Sequence, residues 1–285
     1  MGLPGQIQMD LVLHGNAVPT WVIDRVKSLS GAKVIETRPP QAIRFRSVTP
    51  HPDIPRLCNT EKLDFAYIPA GRRLSDYGLL AMDMDSTLIT IECIDEVADF
   101  AGKKPEVSAI TESAMRGEID YTESLRRRVA LLAGLPEATL GKVFDERLRL
   151  SPGARELLSA AKAANLKTMV VSGGFTYFTH RLKDELGLDY AFSNVLEVAD
   201  GTLTGRVTGE IVDAGGKARH VAHIRQALGL KKSQVITIGD GANDLLMMAE
   251  SELSVAFHAK PVAREEAAMA LNFTGLDGLL AVLEP

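Results

Sequence analysis

The chain has 285 residues, 46% apolar and 24% charged, which is material for one large domain or two ordinary ones with filled cores. A formal net charge of −5, with Arg126 to Arg128 as the one notable basic run, argues against a nucleic-acid partner, whose backbone calls for a basic surface. Two cysteines without metal-type spacing, no basic-then-apolar leader and no apolar run near ~20 residues argue against a disulfide framework, secretion and a membrane partner, so the expectation is a cytoplasmic protein.

Residues 1–77 read as a small α+β unit. An apolar strand "IQMDLVLH" (7–14) leads to a helix "PTWVIDRVKSLSG" (19–31) that Gly31 should stop. Strands "KVIETR" (33–38) and "QAIRFRSV" (41–48) follow, separated by Pro39 and Pro40. A helix from Asp53 to Lys62 and a strand "LDFAYIP" (63–69) complete a β-α-β-β-α-β order, the ferredoxin-like pattern. Polar "AGRRLSDYG" (70–78) reads as a linker.

From Gly78 the pattern changes to short apolar strands, each preceding a loop and a helix: "GLLAMDM", "KTMVVS", "QVITIG" and "LSVAF". Strands alternating with helices predict an α/β fold with a parallel sheet. Residues 92–150 between the first two strands have helical periodicity and are too long for one crossover, so they predict an inserted helical cap. "VLEVADGTLTGRVTGEIV" (195–212) alternates around Asp200-Gly201 and reads as a β-hairpin.

Ligands of open α/β sheets bind at the carboxyl ends of the strands. Three strand ends carry polar groups: Asp83 and Asp85, Ser172-Gly173-Gly174, and Asp240 through Asp244. Singly, each has a plain structural reading as a turn, and Asn243 or Asp244 could simply cap the next helix. Together they suit phosphate chemistry. Carboxylates from two strand ends can hold Mg²⁺, a hard ion that prefers oxygen ligands. Ser172 and the glycine amides can approach phosphate oxygens closely. A transferring phosphoryl group also calls for a cation, and Lys217 lies one turn before Val221 on the apolar Val221, Ile224, Leu228 face of its helix.

"DMDST", "VVSGGF", "DAGGK" and "GDGANDL" resemble the four ordered motifs of the haloacid dehalogenase superfamily. More narrowly, "MDMDSTLITIECIDE", "ESLRRRVALL" and "IGDGANDLLMM" resemble its phosphoserine phosphatases, over residues 78–285. The resemblance implies a Rossmann-like core with a cap at about 92–150. It also implies Mg²⁺-dependent hydrolysis of O-phospho-L-serine through an aspartyl-phosphate, the last step of serine biosynthesis. Asp83 would be the nucleophile and Asp85 the acid and base. The Asp83 carboxylate, the Asp85 main-chain carbonyl and Asp240 would hold the metal, supported by Asp244. Ser172, Gly173 and Lys217 would bind phosphate, with Asn243 lining the same pocket.

The cap positions carry two readings each. Glu92 shares a polar helix face with Asp95 and Asp99, and the resemblance gives it the substrate ammonium. Arg128 borders the stripe of Leu125, Val129 and Leu132, where it either snorkels or holds a carboxylate through two parallel hydrogen bonds; the resemblance gives it the carboxylate. Met115 and Tyr121 match positions that shield the site, and as pattern suit a core equally well. Residues 1–77 resemble amino-acid-binding ACT domains in element order and in the Gly15-Asn16 loop. An amino-acid effector and a purely structural or homodimer-forming role stand side by side. The rivals are a superfamily phosphatase or phosphotransferase acting on another small phosphomonoester, and a non-catalytic amino-acid sensor.

Overall fold

The computed structural model describes residues 8–38 and 42–284, so Ile7, Pro39, Pro40 and Gln41 of the expected strands and turn lie outside the described residues. Four antiparallel strands open the chain: β1 (Met9–His14), β2 (Val34–Arg38), β3 (Ala42–Arg46) and β4 (Asp64–Pro69). They pair in the order β2-β3-β1-β4, with helices Thr20–Ser30 and Asp53–Thr60 between them in sequence. Period-two alternation sends Leu11, Leu13, Ile43 and Phe45 into one core with Val22, Val26, Ile54 and Cys58 of the helices. The first helix ends where expected: Gly31 takes φ 70° and its N–H donates to the Lys27 carbonyl.

The larger sheet is built from β5 (Leu79–Met82), β6 (Lys167–Phe175), β7 (Tyr190–Ala199), β8 (Thr202–Thr208), β9 (Val235–Gly239), β10 (Leu253–Phe257) and β11 (Met269–Leu271). Its order is β11-β10-β9-β5-β6-β7-β8, parallel throughout except for the β7-β8 hairpin. β5, β9 and β10 are buried along their whole length, which is why they read as continuous apolar runs rather than alternating ones. Asp200 and Gly201 both take positive φ at the hairpin turn.

Between β5 and β6 the chain forms helices Cys93–Phe100, Lys104–Met115, Tyr121–Ala130 and Ala138–Lys142 before the crossover helix Ala154–Ala163. The hairpin braces this insertion: the Gly134 N–H donates to Leu203 (2.9 Å) and the Leu203 N–H to Leu135 (2.8 Å). No helix among the described residues is long and apolar enough to cross a membrane.

The two sheets are joined, which the sequence pattern does not show. β4 runs antiparallel to β11 through Phe65 and Ala270, making one sheet of eleven strands. Asp64 of β4 accepts the amides of Asn272 (2.6 Å), Phe273 (3.1 Å) and Thr274 (3.0 Å). Arg44, fully buried, donates to Asp10 (3.3 Å) and to the Val282 carbonyl (2.5 Å), while Arg46 engages Asp10, Glu36 and Glu284. Residues 70–78, expected as a linker, are held in this seam. Arg72 pairs with Glu252 (2.9 Å), its carbonyl accepts the Glu284 N–H (2.7 Å), and Tyr77 is buried.

Candidate active site

β5 ends at Met82, so Asp83 stands at the carboxyl edge of the sheet, its N–H still donating to the Ile238 carbonyl of β9 (3.0 Å). One Asp83 carboxylate oxygen accepts the Met84 N–H (2.7 Å). The chain then turns sharply, with Ser86 in the left-handed region at φ 54°, a strained conformation of the kind that gathers at functional sites. Asp85 accepts the Cys93 N–H (2.9 Å) and the Ser172 hydroxyl (3.3 Å), and Ser172 in turn accepts the Gly174 N–H (2.8 Å). Gly174 is required by space: a Cβ there would lie 2.8 Å from the Asp85 carboxylate and 3.1 Å from Ser172 Oγ.

Helix Ala214–Ala227, capped by Asp213 accepting the Gly216 N–H (2.7 Å), delivers Lys217 from below. Lys217 is 2% exposed, and its ammonium donates to Asp83 Oδ2 (2.6 Å) and Asp244 Oδ1 (2.8 Å). Asp244 does not cap the helix after it. Its other oxygen accepts the amides of Asp240 (3.0 Å) and Gly241 (3.2 Å), tying down the loop after β9.

This floor holds more negative than positive charge. Burial pushes the Asp83 carboxyl up, Asp244 adds to the effect, and Lys217 only partly offsets it. Asp85 is pushed up to about 7 by burial and then by Glu92. Asp240 is pushed up to about 6 by burial and then by Asp244. Burial opposes the charge on Lys217, but Asp244 and Asp83 outweigh it and its pKa rises. Asp83, Asp240 and Asp244 bring carboxylate oxygens within 4.8 Å of one another. An all-oxygen cluster with one ammonium against three carboxylates fits a hard divalent cation. The Asp85 carboxylate lies outside the cluster, turned toward Cys93 and Ser172.

The walls are looser. A cavity of about 130 Å³, the size of a small metabolite, brings together nine of the expected site residues: Asp83, Asp85, Glu92, Arg128, Ser172, Gly173, Lys217, Asp240 and Asn243. Glu92 precedes helix Cys93–Phe100 and accepts the Ser86 hydroxyl (2.7 Å). Of its expected partners on the polar face, Asp99 turns away to Arg147 (3.1 Å). Arg128 reaches the cavity while Arg126 is exposed and Arg127 pairs with Glu123, as their helix spacing predicts. Tyr121 lines the cavity and donates to the Gly173 carbonyl (3.1 Å). Met115 does not: it ends its helix 71% exposed, on the solvent side, and the shielding expected of it is absent. Lys260, which belongs to none of the sequence motifs above, also lines the cavity; it follows β10, a fourth strand end to which the same carboxyl-edge rule applies.

A family model described as haloacid dehalogenase-like hydrolase matches residues 80–249. The phosphoserine phosphatase of Polaromonas sp. is 57% identical over 217 residues, 74% of this chain and 92% of that protein. A HAD family hydrolase from Salmonella enterica serovar Typhi superposes over 98% of this chain and 99% of its own, with TM-score 0.89 and 32% identity. A phosphoserine phosphatase structure described as a phospho-aspartyl intermediate analogue covers 73% of this chain and 99% of its own, with TM-score 0.68 and 38% identity. Motifs, strand-end geometry and similarity over most of its length agree, and the chain belongs to the haloacid dehalogenase-like hydrolases.

Proposed function

We propose that this protein hydrolyses O-phospho-L-serine to L-serine and inorganic phosphate. The observation that carries the proposal is a single cavity in which the acidic floor, with Asp83 and Asp85, faces a cap wall that presents both Glu92 and Arg128. A substrate with a phosphate at one end and an ammonium and a carboxylate at the other matches that division. On this reading residues 78–285 form the phosphatase domain, capped at about 92–150, and residues 1–77 a second unit joined to it where β4 meets β11.

Asp83 attacks phosphorus, and the bond from phosphorus to the seryl oxygen breaks. Asp85, protonated, gives its proton to that oxygen as serine leaves. As a carboxylate it then takes a proton from water, whose oxygen attacks the aspartyl-phosphate and frees Asp83. A carboxyl pushed up to about 7 is suited to both halves, because it is populated in both forms near neutral pH. Ser172 and the Gly173 amide hold phosphate oxygens, and Lys217 keeps Asp83 oriented through its ion pair. Arg128 takes the substrate carboxylate and Glu92 the ammonium. Asp83, Asp240 and the Asp85 carbonyl would hold Mg²⁺, with Asp244 behind them; bound, the ion supplies positive charge where the phosphoryl oxygens gather it.

The test is phosphate release from phosphoserine, phosphothreonine and an aryl phosphate, with Mg²⁺ and with chelator. Phosphoserine should be strongly preferred and the activity should need the cation. Equal turnover of all three would reject serine specificity, and undiminished activity in chelator would reject the metal.

A further inference from the structure

Three cations line the cavity, and they are not equivalent. Lys217 is buried and held by Asp83 and Asp244. Arg128 stands on the cap and gives its Nε hydrogen to the Ser124 carbonyl (3.3 Å). Lys260 stands on the core side, exposed, and its ammonium has neither an ion pair nor a hydrogen bond among the described residues.

The backbone fixes where Lys260 sits. Its N–H donates to the Asp240 carbonyl (2.9 Å), and its own carbonyl accepts from Ala263 (3.0 Å) and Arg264 (3.2 Å). It occupies the cap position of helix Pro261–Glu266 but makes no capping bond, and a cation there opposes the helix dipole. Helix formation therefore does not account for a lysine at this position. The side chain reaches back over the loop after β9. Its Nζ lies 3.9 Å, and Asn243 Oδ1 2.5 Å, from the point where a Cβ on Gly241 would stand. Gly241 has φ −137°, a conformation open to any residue, so its lack of a side chain serves space and not the backbone. The gap it leaves is bordered by an amide and a free ammonium.

Phosphoserine carries about two net negative charges near neutral pH. It approaches a wall that carries Asp83, Asp85, Glu92 and Asp240. An exposed, unpaired cation beside the phosphate end lowers that repulsion. We infer that Lys260 is a further phosphate-binding residue, a rim cation that engages the phosphate group of incoming substrate and of departing inorganic phosphate. The inference rests on the phosphatase reading but concerns binding, not the chemical steps.

The test compares the full chain, Lys260→Gln, Lys260→Arg and Lys260→Glu, in Mg²⁺. One arm measures steady-state kinetics on phosphoserine across a range of salt; the other titrates inorganic phosphate calorimetrically. Lys260→Gln should lower kcat/KM at low salt by about five-fold, the worth of one charge pair near 4 Å in water, with kcat little changed. The Kd for inorganic phosphate should rise by a similar factor. Lys260→Glu should lose more, Lys260→Arg should recover most of the loss, and the differences should shrink as salt screens the charge. An unchanged kcat/KM and phosphate Kd in Lys260→Gln overturns the inference. So does a fall in kcat that Lys260→Arg does not rescue, which marks a structural role. If the unaltered protein fails to turn over phosphoserine, the proposed substrate is wrong, and the phosphate titration still decides the role of Lys260.

Discussion

Two charge networks in this chain, one buried and one partly exposed, use the same ingredients to opposite effect. In the seam between the N-terminal strands and the last helix, Arg38, Arg44 and Arg46 meet Asp10, Glu36 and Glu284. Hydrogen bonding to Arg46 lowers the carboxyl pKa values of Glu36 and Glu284. At the floor of the cavity Asp83, Asp85 and Asp240 all move up, because burial and neighbouring acids outweigh Lys217. Charges matched in number settle into ion pairs and hold two parts of a fold together. Charges left in excess keep an affinity for something positive, and that marks a site rather than a strut.

The largest expected effect tests the floor. Asp83→Asn keeps the shape and removes one charge, so turnover should fall by about 10⁴-fold or more. The unfolding midpoint should hold or rise, because a carboxylate pushed upward by burial and Asp244 is removed. A collapse of stability with activity retained would make Asp83 part of a strut. The seam should answer in the opposite sense. Arg44→Ala leaves the Val282 carbonyl buried without its donor, while Asp10 keeps Arg46 and the Ser47 N–H, so the cost should be about 1–3 kcal/mol, with kcat of the folded protein unchanged. Urea unfolding followed by an activity assay measures both.

The same contrast sets what the sequence discloses. Floor residues are legible because each follows an apolar run that can only be a buried strand, and strand ends converge. Lys217 is legible because helical spacing places it on the face of Val221. The seam is not legible. In "AIRFR" the alternation that buries Ile43 and Phe45 would turn Arg44 toward water. The helix that covers it lies 238 residues further along the chain. β11 has three residues and so carries no pattern of its own, yet it joins the two sheets. Met115 is not legible, because a match in cap position says nothing about how an end-of-helix side chain is turned. Lys260 is not legible either, because a lone exposed lysine after a strand looks like any solvated one.

The cap wall lies between these extremes, since Glu92 accepts from Ser86 and Arg128 donates to the Ser124 carbonyl, and both line the cavity. Arg128→Ala should raise KM for phosphoserine by roughly ten-fold or more, and should spare phosphoethanolamine, which has no carboxylate. Equal losses on both substrates would assign Arg128 to packing of the cap. That outcome would leave the floor as the only part of the cavity adapted to a ligand.

The smallest effect is a pH dependence whose sign separates the two networks. Floor carboxyls with folded pKa values raised above the ordinary 3.8 give their full stabilisation below that pH. They lose it as pH rises through about 6 for Asp240 and about 7 for Asp85. Seam carboxylates with lowered values do the reverse: their contribution is present above the ordinary 4.5 and is lost as pH falls through the lowered values. Without a divalent cation, then, the floor's contribution to stability should decline between about pH 4 and 8 while that of the seam holds. A bound cation favours the ionised carboxylates, so added Mg²⁺ should raise the unfolding midpoint more at pH 8 than at pH 5. Below about pH 6 a proton on Asp240 competes with the cation, and apparent affinity should fall by up to about ten-fold per pH unit. Thermal unfolding with and without Mg²⁺ at the two pH values measures this. An equal gain at both would mean that the floor is balanced like the seam, and that its acids are not held in readiness for a cation.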